Sequence, residues 1–251
     1  MTVDDIAPFG AALENRILLI ADEGCVARLL GDGLVNAGCG VTRASPRDED
    51  LFSKAVDHDT IVYLPARSLL DASSCREGPV DSEVKELLGA ANAPGVKLLV
   101  TVIPAATEAQ VLEEAIQRSG VPYFLVRSPA LIEELKVELS GEVPETIWVP
   151  ECEGVAFGDA EALVRTVRQC LVDDRQGNTV ELPAAVTDIP SALRRALSAD
   201  ERRVIAVWPP LFQMGRVVAR MMRGRDTPDL RLIDALLARR DESLTPPRRA
   251  A

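Results

Sequence analysis

The stretch RILLIADEGCVARLL, residues 16–30, decides the fold class of this chain. Its first six residues, Arg16–Ala21, form an apolar run that is typical of a strand buried on both faces of a sheet. After a short polar turn, Val26, Leu29 and Leu30 recur at helical spacing. The stretch therefore predicts a strand that leads through a tight turn into a helix, which is the first half of a βαβ unit.

The same alternation of apolar runs and helical patterns continues to about residue 130. The first helix is expected to stop at Ala37-Gly38, because glycine favours the backbone conformation that ends helices. The pattern predicts further strands at 40–44, 60–66, 96–103 and 122–129, with helices that include 84–91 and 108–118. Strands that alternate with helices in this way predict a doubly wound α/β fold with a parallel sheet covered on both faces.

Beyond about residue 140 the pattern becomes looser and predicts a small α/β cap lobe. Strand candidates are TIWVP, GVAF, NTVEL and RVIAVWP, with helices that begin near Asp159, Ser191, Leu211 and Pro228. The helix after Asp159 places five apolar side chains on one face, with Asp159 as its N-cap. The chain is thus divided into an N-terminal extension (1–14), a core (15–140), later strands and a cap lobe that complete the same domain (141–242), and a disordered tail (243–251).

Composition excludes several classes of function. The chain has 251 residues, enough for one large α/β domain, and a formal net charge of -11. Such a charge repels phosphate backbones and anionic lipid, so we expect neither a nucleic-acid partner nor membrane insertion. No apolar run is long enough to span a bilayer, and the first residues, MTVDDIAPFG, are acidic rather than basic. These features predict a cytoplasmic protein.

Cysteine and histidine are too sparse for the usual metal centres. The five cysteines are widely spaced and never form a C-x-x-C pair, which argues against a disulfide framework and against a zinc site. The single histidine, His58, is interpreted as a loop residue. The sequence therefore predicts no bound metal and no Ser-His-Asp triad.

The turn after the first strand is the place where such folds bind a dinucleotide pyrophosphate. An intact fingerprint has glycine at the first, fourth and seventh positions of this turn, which here are Ala21, Gly24 and Ala27. Only Gly24 is retained, and Asp22 and Glu23 add two negative charges. A like-charge contact at about 4 Å costs on the order of 4 kcal/mol at an effective dielectric of about 20. The turn predicts weak or absent cofactor binding, unless these side chains point outward.

The end of the second strand indicates which dinucleotide would be preferred. Arg43 and Arg47 flank Ser45, and no acid occurs before Asp48, so NADP is favoured over NAD. The alternative is that both arginines are solvated loop charges. The candidate cofactor-binding residues of the whole site are Ala21, Gly24, Cys25, Val26, Arg43, Ser45, Arg47, Pro65 and Ala66.

Several segments together resemble the NmrA-like atypical short-chain dehydrogenase/reductases, a family with the NAD(P)-binding Rossmann fold. RILLIADEGCVARLL stands where that family has its glycine-rich opening, and HDTIVYLPA and ANAPGVKLLVTVIP are similar to its third-strand and fourth-strand segments. LEEAIQRSGVPYFLVRSP, residues 112–129, is the most specific match, with Glu113, Ser119, Gly120, Tyr123 and Arg127 in register. The resemblance implies a Rossmann-type fold over nearly the whole chain.

The resemblance also implies where catalytic residues would stand. Redox-active members of the family use a Tyr-x-x-x-Lys pair, in which lysine lowers the pKa of the tyrosine that transfers the proton. The equivalent positions here are Ala105 and Ala109, which cannot move a proton. The only tyrosines, Tyr63 and Tyr123, lie within predicted strands and are interpreted as packing residues. We therefore predict no catalytic residue of the usual kind.

Three functional hypotheses remain open at the level of the sequence. The first is a pseudoenzyme, a Rossmann protein with a regulatory, sensing or scaffold role and little or no cofactor binding. The second is an NADP-dependent oxidoreductase or isomerase with non-standard catalytic residues. The third is a subunit that binds a protein partner or associates with itself. The basic amphipathic helix predicted at 211–225 is interpreted either as a docking element or as a lobe helix that packs its apolar face on the sheet.

Overall fold

A six-stranded parallel sheet forms the centre of the protein. The computed structural model describes residues 15–48, 50–65, 81–105, 110–139, 146–151, 155–173, 175–197, 203–214 and 236–237. Its strands are β1 (Arg16–Ala21), β2 (Gly40–Ala44), β3 (Thr60–Leu64), β4 (Leu98–Pro104), β5 (Tyr123–Ser128) and β9 (Asn178–Glu181). Their order in the sheet is β2-β1-β3-β4-β5-β9. The strand order reverses at β1, because β2 lies on one side of β1 and β3 on the other, and such a switch point is the place where open parallel sheets bind ligands.

Helices cover both faces of the sheet. One face carries α1 (Cys25–Asn36) and α6 (Ala160–Val172), and the other carries α2 (Leu51–Ala55), α3 (Asp81–Ala91) and α4 (Gln110–Arg118). Strand β1 shows how the sequence builds this arrangement. Ile17 and Leu19 belong to the core under α1 and α6, whereas Leu18 and Ile20 belong to the core on the opposite face. Consecutive side chains of a strand point to opposite faces, so a continuous apolar run is needed where both faces are covered.

Two smaller sheets and two helices enclose a second apolar cluster, separate from the cores on the two faces of the central sheet. Their strands are β6 (Ala130–Leu131), β7 (Thr146–Pro150), β8 (Val155–Gly158), β10 (Ala185–Thr187) and β11 (Arg203–Val207). The three-stranded sheet has the order β10-β8-β6, and the two-stranded sheet pairs β11 with β7. Helices α5 (Ile132–Leu139) and α7 (Ile189–Ala196) contribute Leu135, Leu139 and Leu193 to this cluster.

The strands predicted before residue 130 are confirmed as β1 to β5, with small shifts at their ends. The placement of NTVEL in the cap lobe is wrong, because as β9 it pairs in parallel with β5 and so covers the edge of the central sheet. Gly38 follows α1 with a positive φ of 87°, as its role as a helix stop requires. Asp159 is the N-cap of α6, and its side chain accepts a hydrogen bond from the backbone N–H of Ala162 at 2.6 Å. The third strand ends at Leu64, before the predicted end at Ala66, which lies outside the described residues.

One packing prediction is wrong over the part of the helix that the structure describes. Of the apolar face predicted for residues 211–225, Leu211 and Met214 are exposed, whereas their neighbour Phe212 is buried. The helical segment 209–214 therefore turns Phe212 towards the second cluster. Residues 215–225 and the helix predicted near Pro228 lie largely outside the described part of the chain, which resumes at residues 236–237.

In the ranges that the structure describes, no helix combines the length and the low charge that a membrane crossing requires.

Candidate nucleotide-binding cleft

An open cleft lies at the carboxyl ends of β1 and β2, beside the N-terminus of α1. Its volume is about 1020 Å³. Its position is the one at which parallel α/β sheets bind nucleotides. The described residues that line it are Leu19, Ala21, Asp22, Glu23, Gly24, Ala27, Arg28, Arg43, Ala44, Ser45 and Asp48.

The N-terminus of α1 supplies the cleft with backbone donors. Gly24 is the N-cap of this helix, with an extended backbone, and it has no side chain that could cap the first turn. The first turn also contains no acidic residue. The N–H groups at the start of a helix and its positive dipole end attract anions. This end of the cleft is therefore suited to a phosphate group, as the position of Gly24 in the sequence predicts.

The charges beside this helix end are mixed. Asp22 and Glu23 both line the cleft. Arg28 lines the same cleft from the first turn of α1, and it has no ion-pair partner among the described residues. Its guanidinium brings a positive charge to the same wall of the cleft. Arg28 was not predicted from the sequence, although its spacing of four residues from Gly24 places it one helical turn after the N-cap.

Arg43, at the end of β2, is held against the side of α1. Its Nη2 atom lies 2.6 Å from Oδ1 of Asp32. The guanidinium also lies directly over Gly31, because a Cβ atom at position 31 would stand 2.7 Å from Nη2. Arg43 and Asp32 are 49% and 69% exposed, so the pair is accessible to solvent and to a ligand. Arg43 is thus a cation in the wall of the cleft that already forms an ion pair with a carboxylate.

The turn after β2 is organised by Asp48. Its carboxylate accepts a hydrogen bond from the backbone N–H of Ser45 at 3.0 Å and another from Lys54 at 2.8 Å. The hydrogen bond from Lys54, followed by that from Ser45, holds the pKa of Asp48 below its usual range. Asp48 is therefore anionic at neutral pH, and Lys54 offsets its charge. Ser45, half-buried beside this pair, lines the cleft.

The nine candidate cofactor-binding residues do not all meet at the cleft. Ala21, Gly24, Arg43 and Ser45 line it. The described lining does not include Cys25, Val26, Arg47 or Pro65, and Ala66 lies outside the described residues. The side chain of Val26 is fully buried in the core under α1, so it can offer a ligand only its backbone. Arg47 is exposed in the turn after β2 and donates its backbone N–H to Oγ of Ser45.

The positions expected for proton transfer carry no titratable side chain where the structure describes them. Ala105 is exposed directly after β4, and its backbone N–H donates to the carbonyl of Ser128 at 2.8 Å. Ala109 lies outside the described residues. Tyr63 is buried in β3, and burial, with Glu83 and Asp22 nearby, raises the pKa of its hydroxyl far above the usual range. Tyr123 is the first residue of β5. It therefore lies at the amino ends of the parallel strands, whereas the cleft lies at their carboxyl ends.

An ion pair ties α4 to the end of β5. Nη2 of Arg127 lies 2.7 Å and 2.9 Å from the two carboxylate oxygens of Glu113. Both residues belong to the segment that carries the family resemblance. The pair holds the helix that follows β4 against the carboxyl edge of the sheet, which is a structural role.

Within the described ranges, no three histidine, cysteine, aspartate or glutamate side chains come together in a way that could hold a metal ion.

Comparison with known proteins supports the fold. No family model and no curated protein sequence matches the chain. Among solved structures, a nucleoside-diphosphate-sugar epimerase from Staphylococcus aureus aligns with a TM-score of 0.63 and 14% identity, over 92% of each chain. An NADPH-dependent quinone oxidoreductase from Escherichia coli, solved with NADPH, gives the same TM-score, identity and coverage. A dTDP-4-dehydrorhamnose reductase from Clostridium acetobutylicum gives 0.61 and 14%, over 85% of this chain and 88% of that one. The chain therefore has the Rossmann-type fold of these proteins, and it is compatible in fold with the NmrA-like resemblance.

Proposed function

We propose that this protein binds NADP(H) in the cleft between the ends of β1 and β2. The observation that carries the proposal is that the cleft is open rather than filled by side chains, with the N-terminus of α1, Arg28, Arg43 and Ser45 in its wall. A protein that had lost all use for a nucleotide would be free to fill such a cleft. The acidic turn weakens binding without abolishing it, because Arg28 offsets part of the charge of Asp22 and Glu23.

The preference for NADP(H) over NAD(H) rests on the end of β2. An acid at this position accepts hydrogen bonds from the ribose hydroxyls of NAD, whereas arginine pairs with the 2′-phosphate of NADP. Here the position carries Arg43, followed by Ser45, and the nearby carboxylate of Asp48 is occupied by Lys54.

For the use of the bound cofactor, the comparisons favour the class of NADP-dependent oxidoreductases and isomerases. The three solved structures are a reductase, an oxidoreductase and an epimerase, and this chain has their fold over most of its length. Because Ala105 stands at the expected tyrosine position, such an activity would need a different proton donor or a hydride transfer that requires none. The competing hypothesis is a sensor that binds NADP(H) without turnover, and the alanine at position 105 is the observation that favours it.

Binding is tested by calorimetric titration of the purified protein with NADPH and with NADH. We expect a Kd for NADPH below about 10 μM, which corresponds to roughly -7 kcal/mol, and weaker binding of NADH. Arg28→Gln should weaken both cofactors, whereas the control Arg118→Gln, which changes an exposed arginine on α4, should weaken neither. A wild-type protein that binds neither cofactor at millimolar concentration would overturn the proposal.

Turnover is tested separately, with quinones and nucleotide sugars, the substrate classes named for the structural neighbours. For reduction, stoichiometric protein and NADPH are mixed with each substrate, and the absorbance of NADPH is the readout. For isomerisation, protein with NADP⁺ is mixed with nucleotide sugars and the products are separated by chromatography, because the hydride returns to the substrate and leaves no net change in cofactor absorbance. Cofactor oxidation that depends on one substrate would support the oxidoreductase hypothesis, and interconversion of a nucleotide sugar would support the isomerase. Tight binding with no reaction in either assay would favour the sensor.

A further inference from the structure

We propose that Asp32 sets the cofactor selectivity of the cleft by holding Arg43 as an internal substitute for the 2′-phosphate. This inference rests on the proposed function and deepens it. Asp32 lies in the middle of α1, between Gly31 and Gly33, and no feature of a dinucleotide fingerprint requires an acid there. Its carboxylate nevertheless forms an ion pair with Arg43, which lines the cleft, although Asp32 itself is not part of the described lining.

The geometry shows why the guanidinium can occupy this place. Gly31 has no side chain, and the Nη2, Nε and Cζ atoms of Arg43 would lie 2.7, 3.0 and 3.1 Å from a Cβ atom at that position. The planar group therefore rests on the bare helix backbone, where any larger residue would force it away. Gly31 and Asp32 together form a seat for Arg43, and this seat exists only because the two residues are adjacent on α1.

The charge and the exposure of the ion pair allow a ligand to replace Asp32 as the partner of Arg43. Both partners are about half exposed or more, and ion pairs of this kind contribute little to stability. A phosphate carries more negative charge than a carboxylate and accepts hydrogen bonds from arginine in the same bidentate manner. On binding of NADP(H), the 2′-phosphate replaces Asp32 as the main partner of Arg43. The displaced carboxylate remains close by and repels the phosphate, so it lowers the preference for NADP(H) over NAD(H).

The proposal is tested with Asp32→Asn, which removes the charge and retains the size of the side chain. Calorimetry with NADPH and NADH should show NADPH binding tightened about three- to fivefold, with NADH binding unchanged, because only NADPH carries the 2′-phosphate. Asp32→Glu, which keeps the negative charge, should retain the cofactor selectivity of the wild type. Arg43→Gln should reduce NADPH binding to the level of NADH.

The matched control is Glu114→Gln, which breaks an exposed Glu–Arg pair on α4 and changes the net charge by the same amount. It should leave both affinities unchanged, which separates a local effect of Asp32 from a general change in charge. Thermal unfolding of each variant establishes that the fold is retained.

The outcomes separate the two proposals. If the wild type binds neither cofactor, the proposed function fails and this inference fails with it. If NADPH binds but Asp32→Asn leaves the ratio of the two affinities unchanged or lowers it, the proposed function stands and the role of Asp32 is overturned. An Arg43→Gln variant that still prefers NADPH would overturn the role of Arg43 as the phosphate ligand in the same way.

Discussion

At the level of single residues, the proposed function depends on the balance of charges in the cleft wall. Glu23 is exposed in the cleft wall and has no ion-pair partner among the described residues, while Arg28 supplies the opposite charge one helical turn away. The repulsive residues were evident from the sequence, but the one that offsets them was not. The reason is that a fingerprint describes positions in a turn, whereas Arg28 contributes through the face of a helix.

Glu23→Gln is expected to tighten the binding of both NADPH and NADH by about two- to fivefold, because it removes a negative charge near the shared pyrophosphate. Calorimetric titration measures the effect. The control is Glu86→Gln on α3, a similarly exposed glutamate that lies outside the cleft lining. A change confined to NADPH would contradict this assignment, because it would place Glu23 near the 2′-phosphate rather than near the pyrophosphate.

At the level of elements, a close contact between helices joins α1 to α6. A Cβ atom at Gly33 would overlap a methyl group of Val164, so the helices can approach this closely only because position 33 has no side chain. Gly33→Ala should therefore lower the free energy of unfolding by about 1–3 kcal/mol, as overpacking does. Without this contact, alanine would stabilise the helix by about 1 kcal/mol relative to glycine, so a loss of stability indicates that the two helices are in close contact.

The control for Gly33 is Gly89→Ala in α3, where an added Cβ atom would meet nothing within 4 Å. This variant should be more stable than the wild type by about 0.5–1 kcal/mol. Urea denaturation measures both variants, and Gly33→Ala with Val164→Ala should regain part of the loss. Equal stabilisation by both glycine substitutions would refute the close contact.

The N-cap of α7 gives a prediction of pH dependence. The side chain of Asp188 accepts a hydrogen bond from the backbone N–H of Ser191 at 2.7 Å. Burial raises the pKa of Asp188, but hydrogen bonds from Ser191 and from its own backbone, together with the charge of Arg194, outweigh the effect of burial, so the pKa is lowered overall. Because the folded pKa lies below the unfolded value, this stabilisation is present above the unfolded pKa, near 3.8, and is lost as the pH falls through the folded pKa.

Asp188→Ala should therefore cost about 0.5–2 kcal/mol at pH 7, and the difference from the wild type should shrink below about pH 4. Asp188→Asn should retain most of the stability at pH 7, because asparagine is also a good N-cap. Urea denaturation at pH 7 and pH 3 measures the differences. A gap between wild type and Asp188→Ala that stays constant with pH would argue against a charged cap.

At the level of the whole molecule, large apolar side chains are exposed on and beside the two-stranded sheet formed by β7 and β11. Trp148 and Trp208 are 57% and 68% exposed, and they are the only tryptophans of the chain. The fluorescence of the monomer should accordingly resemble that of tryptophan in water and be strongly quenched by iodide. The protein partner or self-association expected from the sequence stays a prediction, and this signal can test it.

Self-association through this surface would shift the emission to shorter wavelength and reduce quenching as the protein concentration rises. Analytical ultracentrifugation on the same samples gives the oligomeric state independently. Trp208→Ser should leave one reporter and show which of the two side chains is covered. Emission typical of buried tryptophan in a proven monomer would contradict the exposed placement of Trp148 and Trp208.

The sequence by itself determined the central architecture, because its signals are local. The apolar runs of β1 to β5, the stop at Gly38 and the cap at Asp159 act within a few residues of chain, and each was predicted where the structure has it. That Ala105 stands at the usual tyrosine position was implied by the resemblance to the NmrA-like family. Burial of a continuous apolar run requires cover on both faces, so the parallel sheet followed from composition and order.

Only the tertiary structure decided how the cleft is charged and which apolar residues remain exposed. The contact of Arg43 with Asp32 and Gly31 joins a strand end to the middle of a helix, and the placement of Leu211 and Met214 depends on which side of their segment meets the second cluster. The periodicity of the sequence does not predict such contacts, because they depend on how separate helices and strands are placed relative to one another. The pairing of the charges in the cleft wall therefore became visible only from the packing of β2 against α1.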